Sequence, residues 1–344
     1  MIEVIKIKNN RLFYLDQRAL PFKEIYREVK NLKDAYIAIK ELRVRGAPLI
    51  GVFAGYCIAS LSYRFSNKKD VFLKQFKKTI NYLKKSRPTA KNLFWALERL
   101  EKIVFMNKDK SSKEIKELII NEAYKIHKED ISLCEKIANF GVSLINDGDC
   151  ILTHCNTGYL ATSGIGTALS VIYKAKELNK KIEVYATETR PVLQGARLTI
   201  WELSKNHISC RLITDNMAGY LMQKNIINKI FVGADRVSLN GDVANKIGTY
   251  SLAVLAKYHN IPFYVVCPFN TVDLEIKDGK SIPIEERDPD EVRKVLNKYI
   301  TVKNVKVYNP SFDITPNNLI SALITDKGII YPPYNENIKK YGIK

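Results

Sequence analysis

Hydrophobic residues recur at helical spacing through most of the first third of the chain. Apolar side chains three and four positions apart predict a helix with one buried face, whereas strict alternation predicts a strand. Residues 5–8 and 11–15 predict a small hairpin, with Asn9-Asn10 as its turn. The helices predicted after this hairpin cover residues 22–29, 32–42, 52–61, 70–84, 90–105 and 112–144.

The pattern changes after the turn-forming cluster Asn146-Asp147-Gly148-Asp149, where short apolar runs begin to alternate with helical stretches. Strands that alternate with helices predict βαβ units and a mostly parallel sheet. The predicted strands cover residues 150–153, 182–187, 209–214, 229–232 and 261–266. A long helix is expected at about residues 159–178, and the tail from residue 327 is expected to be irregular.

These elements predict an α/β protein with two domains. A chain of 344 residues is long enough for two domains of about 150 residues each. We expect a small, mainly helical N-terminal domain at residues 1–125. A Rossmann-like α/β domain at residues 126–344 should follow, with a mostly parallel sheet and helices on both of its faces.

The composition indicates which kinds of ligand or partner the protein binds. The formal net charge is +19, but the lysines are spread along the predicted helices and there is no arginine-rich tract. A basic surface of this kind favours small anionic substrates over nucleic acid. The sequence has no apolar run of the roughly 20 residues that a membrane span needs. The N-terminus also lacks a signal-peptide pattern, so we expect a soluble, cytoplasmic protein.

Polar residues follow each predicted strand of the second domain. The segments after the five strands are His154-Cys155-Asn156, Glu188-Thr189-Arg190-Pro191, Asp215-Asn216, Gly233-Ala234-Asp235-Arg236 and Cys267-Pro268-Phe269-Asn270. In a doubly wound sheet the carboxyl ends of the strands face one crevice, where ligands bind. Converging polar strand ends of this kind predict an enzyme active site.

Three features of this edge suggest chemistry. Cys155 precedes a predicted helix, whose dipole would favour the thiolate; otherwise it is a small buried side chain. Asp235 would act as a general acid or base if apolar surroundings favour its protonated form; otherwise it pairs with Arg236 or caps a helix. Asn245-Lys246 is predicted to open a helix and would offer donors to a phosphate; otherwise it is an exposed cap.

We predict neither a cofactor nor a metal. Gly164-x-Gly166 lies inside a predicted helix, whereas a dinucleotide fingerprint needs its glycines directly after a strand, and no P-loop pattern is present. No C-x-x-C pair is present either. Cys150, His154 and Cys155 offer three metal-ligand side chains close together in the sequence, but a structural zinc site usually takes four ligands.

A set of motifs along the chain carries a family resemblance. The motifs are Arg45-Gly46-Ala47-Pro48, Ser86-Arg87-Pro88-Thr89, His154-Cys155-Asn156-x-Gly158, Glu188-Thr189-Arg190-Pro191, Gln194-Gly195-Ala196-Arg197, Gly233-Ala234-Asp235-Arg236 and Asn245-Lys246-Ile247-Gly248-Thr249. With them the whole chain resembles the S-methyl-5-thioribose-1-phosphate isomerases. Their wider family includes regulatory subunits of a translation initiation guanine-exchange factor and archaeal ribose-1,5-bisphosphate isomerases. Thr157 departs from the pattern, which has alanine there.

The resemblance implies an aldose-ketose isomerase of methionine salvage. Such an enzyme converts S-methyl-5-thio-α-D-ribose 1-phosphate to S-methyl-5-thio-D-ribulose 1-phosphate. Cys155 and Asp235 would be catalytic: in one assignment protonated Asp235 donates to the ring oxygen while Cys155 moves a proton between C2 and C1. A hydride shift stays open. The substrate-binding residues implied are Arg45, Gly46, Ala47, Arg87, Gln194, Asn245 and Lys246.

The resemblance also implies a homodimer and a site to which both domains contribute, because Arg45 and Arg87 lie in the predicted helical domain. Two alternatives remain open at this point. The substrate could be another 1-phosphorylated pentose, either 5-deoxyribose 1-phosphate or ribose 1,5-bisphosphate. The chain could also be a non-catalytic regulatory subunit of the translation factor, which would not need Cys155, Asp235 and Arg87 together with the Asn245-Lys246 pair.

Overall fold

The computed structural model describes residues 3–87 and 90–342. The chain divides into two compact units, one of Met1–Ser132 with Tyr159–Gly164 and one of Leu133–Gly158 with Ile165–Lys344. The first unit is mainly helical and the second contains a large parallel sheet, so the predicted α/β class is confirmed. The predicted domain boundary at residues 125 and 126 stays a prediction.

The first unit begins with an antiparallel sheet in the order β1 (Ile5–Lys8), β2 (Arg11–Leu15), β3 (Tyr26–Glu28). Asn9 and Asn10 have φ of 49° and 62°, as a tight hairpin turn requires at both central positions, so the predicted hairpin is confirmed. The helix predicted at residues 22–29 is wrong. Residues of β3 pair with β2 there, because cross-strand hydrogen bonding outweighs a short local periodicity.

The helices of this unit confirm the other predictions in the first third of the chain. Their bounds are α1 (Leu32–Lys40), α2 (Ala47–Ser62), α3 (Lys69–Lys84), α4 (Lys91–Met106) and α5 (Ser112–Gly141). The residues of α5 from Leu133 onward belong to the second unit. From Leu49 to Ser62 every residue of α2 is buried, as expected of a helix that is hydrophobic all round. Helices α1, α3 and α4 and strand β2 pack against α2.

In the described part of the second unit, the large sheet has seven strands in the order β16-β15-β10-β7-β4-β5-β6. Neighbours are parallel except β15 and β16, which are antiparallel. In chain order the parallel strands are arranged 3-2-1-4-5-6, which is a doubly wound order with its switch point between β4 and β7. The bounds are β4 (Cys150–Thr153), β5 (Glu183–Thr187), β6 (Cys210–Ile213), β7 (Lys229–Val232), β10 (Phe263–Val266), β15 (Ala322–Thr325) and β16 (Gly328–Ile330).

Helices cover both faces of this sheet, as predicted. Alternate strand residues enter different cores: Ile151 packs into one core and Leu152 into the other. The end of α5 packs on the first face with α6 (Ala168–Glu177) and α7 (Ile200–Lys205). The other face carries α8 (Met217–Gln223), α9 (Thr249–Tyr258) and α11 (Tyr334–Gly342).

A second sheet was not predicted. It has the order β11-β8-β9-β14, with bounds β8 (Arg236–Ser238), β9 (Val243–Lys246), β11 (Val272–Asp273) and β14 (Phe312–Thr315). Between β11 and β14 the chain forms α10 (Asp290–Arg293) and a hairpin of β12 (Lys294–Val295) and β13 (Lys298–Tyr299). No helix in residues 3–87 or 90–342 combines the length and the apolar character needed to cross a bilayer.

Two further predictions are wrong. The helix expected from residue 159 begins only at Ala168, because Tyr159–Gly164 belongs to the first unit. There the carbonyl of Leu160 accepts from Gln17 and that of Ala161 accepts from the backbone of Leu49. The tail is not irregular but forms β16 and α11, because Tyr334 enters the core and donates to a backbone carbonyl over 2.9 Å.

Candidate active site

The loop after β4 and the segment after β7 run side by side at the switch point of the sheet. Thr153 pairs with Phe231 at the ends of these parallel strands, so Cys155 and Gly233 each lie two residues beyond a paired position. A β-carbon on Gly233 would lie 2.7 Å from the Thr157 methyl group. The segments that carry Cys155 and Asp235 are therefore in direct contact.

Cys155 has an uncommon backbone conformation. Its φ is 61°, in the left-handed region, which costs a residue other than glycine on the order of 1–3 kcal/mol. The backbone N–H of Cys155 donates to Thr189 Oγ1 over 2.9 Å, and the Thr199 hydroxyl donates to the Cys155 carbonyl over 2.6 Å. Each neutral hydrogen bond contributes about 0.5–1.5 kcal/mol, so the two bonds offset a cost of this size.

Thr189 is itself held by the end of the neighbouring strand β6. Its backbone N–H donates to Asp215 Oδ1 over 2.8 Å, and the N–H of Arg190 donates to Asp215 Oδ2 over 2.7 Å. Thr189 also has a positive φ, of 63°. The polar groups that follow β4, β5 and β6 are thus joined through hydrogen bonds, as the sequence predicted for converging strand ends.

His154 is buried and links three elements. Its Nδ1 lies 2.7 Å from Thr187 Oγ1, and its Nε2 lies 2.9 Å from the carbonyl oxygen of Ile247. Because a carbonyl can only accept, Nε2 carries the hydrogen and the Thr187 hydroxyl donates to Nδ1. Burial lowers the pKa of His154, and the nearby Asp215 carboxylate opposes this effect. A neutral imidazole therefore fixes β4 to β5 and to the turn before α9.

Asp235 lies opposite Asn245. The backbone N–H of Asp235 donates to the carbonyl of Ala244 over 2.9 Å, which continues the antiparallel register of β8 and β9. Arg236, the ion-pair partner that the alternative interpretation gave to Asp235, pairs with Asp273 at 3.6 Å. The carboxyl group of Asp235 and the amide of Asn245 therefore extend from adjacent strands.

Asn245 and Lys246 do not open a helix, which corrects the sequence prediction. They end strand β9 because they pair with β14, and α9 begins only at Thr249. Asn245 Nδ2 donates to Thr249 Oγ1 over 3.0 Å. Lys246 Nζ donates to the Ser311 carbonyl over 2.9 Å. The ammonium group of Lys246 thus lies at a strand end rather than at a helix N-terminus.

The N-terminus of α9 is already capped by a carboxylate. Asp313 accepts the N–H of Gly248 over 2.7 Å and that of Tyr250 over 3.1 Å. Burial raises the pKa of Asp313 to about 6, against the opposing effect of these hydrogen bonds. Because Asp313 occupies the N–H groups of Gly248 and Tyr250, these two amides are not available to an anionic ligand in the way that the sequence suggested.

Gln194 lies buried at the start of the helix that follows β5. The helix is π-helical from Gly195 to Thr199, and a β-carbon on Gly195 would lie 1.7 Å from the Thr187 carbonyl oxygen. This close approach brings Gln194 to the strand ends. Its Oε1 is buried and has no hydrogen-bond partner within residues 3–87 and 90–342. A hydrogen-bond acceptor is therefore present for a ligand hydroxyl.

A buried carboxylate supports the loop that carries Cys155. Glu202 Oε1 accepts from Asn156 Nδ2 over 2.8 Å, and its Oε2 accepts from the Tyr173 hydroxyl over 2.8 Å. A β-carbon on Gly158 would lie 1.8 Å from Glu202 Oε2, so only glycine fits at that position. Glu202 thereby fixes the loop on both sides of Thr157.

The structure brings five of the predicted site residues to one edge of the second unit. They are Cys155, Gln194, Asp235, Asn245 and Lys246. Arg45, Gly46, Ala47 and Arg87 belong to the first unit. The role of all nine in catalysis or substrate binding stays a prediction.

Within the first unit, Arg45 is held in place by hydrogen bonding. Its Nε donates to Gln17 Oε1 over 3.1 Å, and Gln17 Nε2 donates to the Leu160 carbonyl over 2.7 Å. Gly46, which directly precedes α2, has φ of 90°. A β-carbon at this position would lie 2.4 Å from the Ala161 carbonyl oxygen, so the close backbone contact requires glycine. Arg87 is partly buried, and Pro88 and Thr89 of its motif lie outside the described residues.

Several supporting side chains were missed by sequence reasoning. Thr187 and Thr199 were not singled out, and Thr189 was noted without a role. Thr187 and Thr189 flank Glu188 at the end of a predicted strand. This spacing could have predicted that two hydroxyl groups lie at the strand end. Among residues 3–87 and 90–342, no group of three or more His, Cys, Asp or Glu side chains is arranged to hold a metal ion.

Comparison with known proteins identifies the family and similar proteins. The model of the initiation factor 2 subunit family matches residues 43–332. A methylthioribose-1-phosphate isomerase of Acetivibrio thermocellus is 53% identical over 334 residues, which cover 97% of this chain and 98% of that protein.

Two solved structures are similar over nearly the whole chain. The crystal structure of 5-methylthioribose 1-phosphate isomerase from Pyrococcus horikoshii OT3 has a TM-score of 0.95 and 42% identity, and covers 100% of this chain and 97% of that one. The crystal structure of the translation initiation factor eIF-2B subunit delta from A. fulgidus has a TM-score of 0.89 and 43% identity, and covers 99% of each chain.

Proposed function

The chain belongs to the initiation factor 2 subunit family, and we propose that it is a methylthioribose-1-phosphate isomerase, the activity named for two of the proteins it is similar to. The reaction is the conversion of S-methyl-5-thio-α-D-ribose 1-phosphate to S-methyl-5-thio-D-ribulose 1-phosphate, an aldose-ketose isomerisation. The observation that carries the proposal is the contact between the segments of Cys155 and Asp235 at the switch point of the sheet. A thiol and a carboxyl group carried by contacting segments are a suitable pair for moving protons.

The substrate sets a particular chemical task. Its C1 phosphate locks the ring, so no free aldehyde forms by ordinary mutarotation. In one assignment the Cys155 thiolate removes the C2 proton while the Asp235 carboxyl group protonates the ring oxygen. The bond between C1 and the ring oxygen breaks, and a double bond forms between C1 and C2. The phosphate stays on C1 throughout.

The second half of the reaction restores both groups. Cys155 returns its proton to C1, and the Asp235 carboxylate takes the proton of the C2 hydroxyl as the ketone forms. The thiol is again a thiolate and the carboxyl group is again an acid, so the cycle needs no added oxidant or reductant. In the alternative, the ring opens first and hydrogen moves from C2 to C1 with its electron pair.

Substrate binding needs cations for the phosphate and polar groups for the sugar. Lys246 supplies an ammonium group at a strand end next to Asn245, and Gln194 supplies a buried acceptor for a hydroxyl. Arg45, Gly46, Ala47 and Arg87 complete the set that we propose for the substrate. Gln17 orients Arg45 through its Nε, and a guanidinium is a planar donor that suits a phosphate.

A test of this function follows the product directly. The enzyme is incubated with methylthioribose 1-phosphate, and ¹³C NMR should show a C2 ketone signal as the anomeric signal disappears. In D₂O, proton transfer through Cys155 should leave deuterium at C1, whereas a hydride shift leaves none. Absence of any ketose would instead favour the non-catalytic regulatory subunit, the alternative suggested by the similarity to the eIF-2B subunit.

We further propose that the enzyme works in methionine salvage as a cytoplasmic homodimer. The support is the family resemblance together with the metabolic activity named for its relative. Light scattering of the purified chain measures the assembly. A mass of about 39.3 kDa would indicate a monomer, and twice that mass would indicate the dimer.

A further inference from the structure

We propose that Thr189 and Thr199 are positioning residues that fix the direction of the Cys155 thiol by holding its backbone from both sides. The inference rests on the proposed function for its catalytic consequence, but its structural part can be tested without substrate. Thr189 accepts the Cys155 N–H and Thr199 donates to the Cys155 carbonyl, at 2.9 Å and 2.6 Å.

The conformation of Cys155 makes this support necessary. With φ of 61°, its Cα–Cβ bond leaves the chain in a direction that neither a strand nor a right-handed helix would give. Without hydrogen bonds to both its N–H and its carbonyl, the residue would relax toward negative φ. The thiol would then point elsewhere, and a catalytic group displaced by about 1 Å can lose about 100-fold in rate.

The hydrogen-bond directions around Thr189 follow from the neutral state of His154. The Thr187 hydroxyl donates to His154 Nδ1, so it cannot also donate to Thr189 Oγ1, which lies 3.1 Å away. Thr189 therefore donates toward Thr187, either to its hydroxyl or to its carbonyl at 3.2 Å. A lone pair of Thr189 Oγ1 is left for the Cys155 N–H.

The directions around Thr199 are equally restricted. Its hydroxyl has a single proton, which goes to the Cys155 carbonyl, and its oxygen accepts from Asn156 Nδ2 over 3.2 Å. Asn156 in turn donates to the buried Glu202. Thr189 and Thr199 are both fully buried, so water cannot replace either hydroxyl. The hydroxyl group of each threonine therefore makes a hydrogen bond to the Cys155 backbone that a methyl group in its place could not make.

A nearby threonine provides a matched control. Thr153 lies on β4 two residues before Cys155 and is also buried. Its Oγ1 has no hydrogen-bond partner within residues 3–87 and 90–342. Replacing this hydroxyl with a methyl group changes burial and shape as little as the same change at Thr189 or Thr199. It removes no hydrogen bond to Cys155.

The experiment compares Thr189→Val, Thr199→Val and the control Thr153→Val, with Thr189→Ser and Thr199→Ser as rescues. Iodoacetamide labelling of Cys155 is followed by mass spectrometry of its peptide, and kcat and KM are measured with methylthioribose 1-phosphate. Circular dichroism verifies folding. If a valine variant does not fold, the alanine variant, which removes the same hydroxyl with less bulk, replaces it.

We expect the valine variants at positions 189 and 199 to lower kcat at least about tenfold, with KM changed less than about threefold. Labelling of Cys155 should become at least about threefold faster, because the partly buried thiol gains access when its loop loosens. The serine variants and Thr153→Val should behave like the wild type. Unchanged labelling and unchanged kcat in a folded Thr189→Val or Thr199→Val protein would overturn the inference.

The two proposals fail in different ways. If the wild type makes no ketose but the valine variants still change Cys155 labelling, the positioning role stands and the proposed function is wrong. If the wild type is an active isomerase and labelling and kcat stay unchanged in both valine variants, the function stands and the positioning role is wrong. Loss of activity in the serine variants as well would show a general packing effect and would also contradict the inference.

Discussion

Thr157 and Gly233 lie in contact, so close that a β-carbon on the glycine would come within 2.7 Å of the threonine methyl group. These residues belong to the segments that follow β4 and β7, the strands that flank the switch point of the sheet. The contact therefore brings together the segments that carry Cys155 and Asp235. An acid and a base that share one substrate must be neighbours in this way.

The first prediction concerns this pair. Cys155→Ser and Asp235→Asn should each lower kcat at least about 100-fold, because each removes a group that moves a proton in the reaction. Cys210→Ser on edge strand β6 and Asp109→Asn on the surface of the first unit are the controls, and both should stay near wild-type turnover. Near wild-type turnover in Cys155→Ser or Asp235→Asn would remove that residue from the mechanism.

The sequence predicted β4, β5, β6, β7 and β10 because each is a short apolar run that ends in a polar turn, but it missed the parallel strand β15. It also predicted that Cys155 and Asp235 would share an edge, since parallel strands end on the same side. It did not predict β9, because Val243–Lys246 pairs with the three-residue strand β8 and with β14, some 70 residues further along the chain. The supporting threonines Thr187 and Thr199 were missed for a similar reason: their hydroxyl partners lie in the loop after β4, more than 30 residues away along the chain.

The second prediction concerns the tight contact of Gly195 with β5. Gly195→Ala should unfold at lower denaturant concentration and lose activity, because its β-carbon would lie 1.7 Å from the Thr187 carbonyl oxygen and the backbone must shift. Gly219→Ala in α8 is the matched control, since its β-carbon would make ordinary contacts of 3.5 and 3.6 Å with Leu255. That variant should be as stable as the wild type or slightly more stable, because alanine favours a helix. Equal stability of Gly195→Ala and the wild type would contradict the packing described here.

The third prediction concerns pH. Burial lowers the pKa of His154 in the folded protein below its ordinary value of 6.5. As the pH falls below 6.5, the unfolded chain binds a proton that the folded protein does not, so this group makes the folded protein less stable in acid. In His154→Gln this loss should be absent, although the glutamine can still donate and accept.

Two buried carboxyl groups act in the opposite direction. Burial raises the pKa of Asp130 and of Asp313 to about 6, from 3.8, so the folded protein binds more protons between these values and gains stability as the pH falls through 6. The comparison of wild type with His154→Gln isolates the histidine because both proteins keep these carboxyl groups. The measurement is the free energy of unfolding by urea from pH 5 to 8. A difference between the two proteins that does not change with pH would contradict the assignment of a neutral, buried His154.

The fourth prediction concerns cofactors. The proposed chemistry moves two protons between one substrate, a thiol and a carboxyl group, so it needs neither a metal ion nor a nicotinamide. Activity should survive dialysis against a chelator and should not rise when a nicotinamide is added. The assay compares dialysed enzyme before and after addition of Mg²⁺, Mn²⁺ or Zn²⁺. Loss of activity on dialysis that one of these metals restores would reverse this prediction.

The last prediction concerns the substrate. Arg190, Arg197 and Arg236 are the remaining arginines of the motifs, and each has partners in the structure. Arg190 donates to the carbonyls of Pro191 and Val292, Arg197 donates to that of Val192, and Arg236 pairs with Asp273. A second phosphate at the sugar's 5-position would have to displace these partners or remain without a cation, at a desolvation cost of several kcal/mol.

A methylthio group has the opposite requirement, because each buried methylene-sized unit contributes about 0.8 kcal/mol. The most direct test is therefore kcat/KM measured in parallel for methylthioribose 1-phosphate, 5-deoxyribose 1-phosphate and ribose 1,5-bisphosphate. We expect the methylthio sugar to be the best of the three, the bisphosphate to be more than about tenfold worse, and the deoxy sugar to lie between them. A higher kcat/KM for the bisphosphate, or no turnover of any of the three, would contradict the assignment of this protein as a methylthioribose 1-phosphate isomerase.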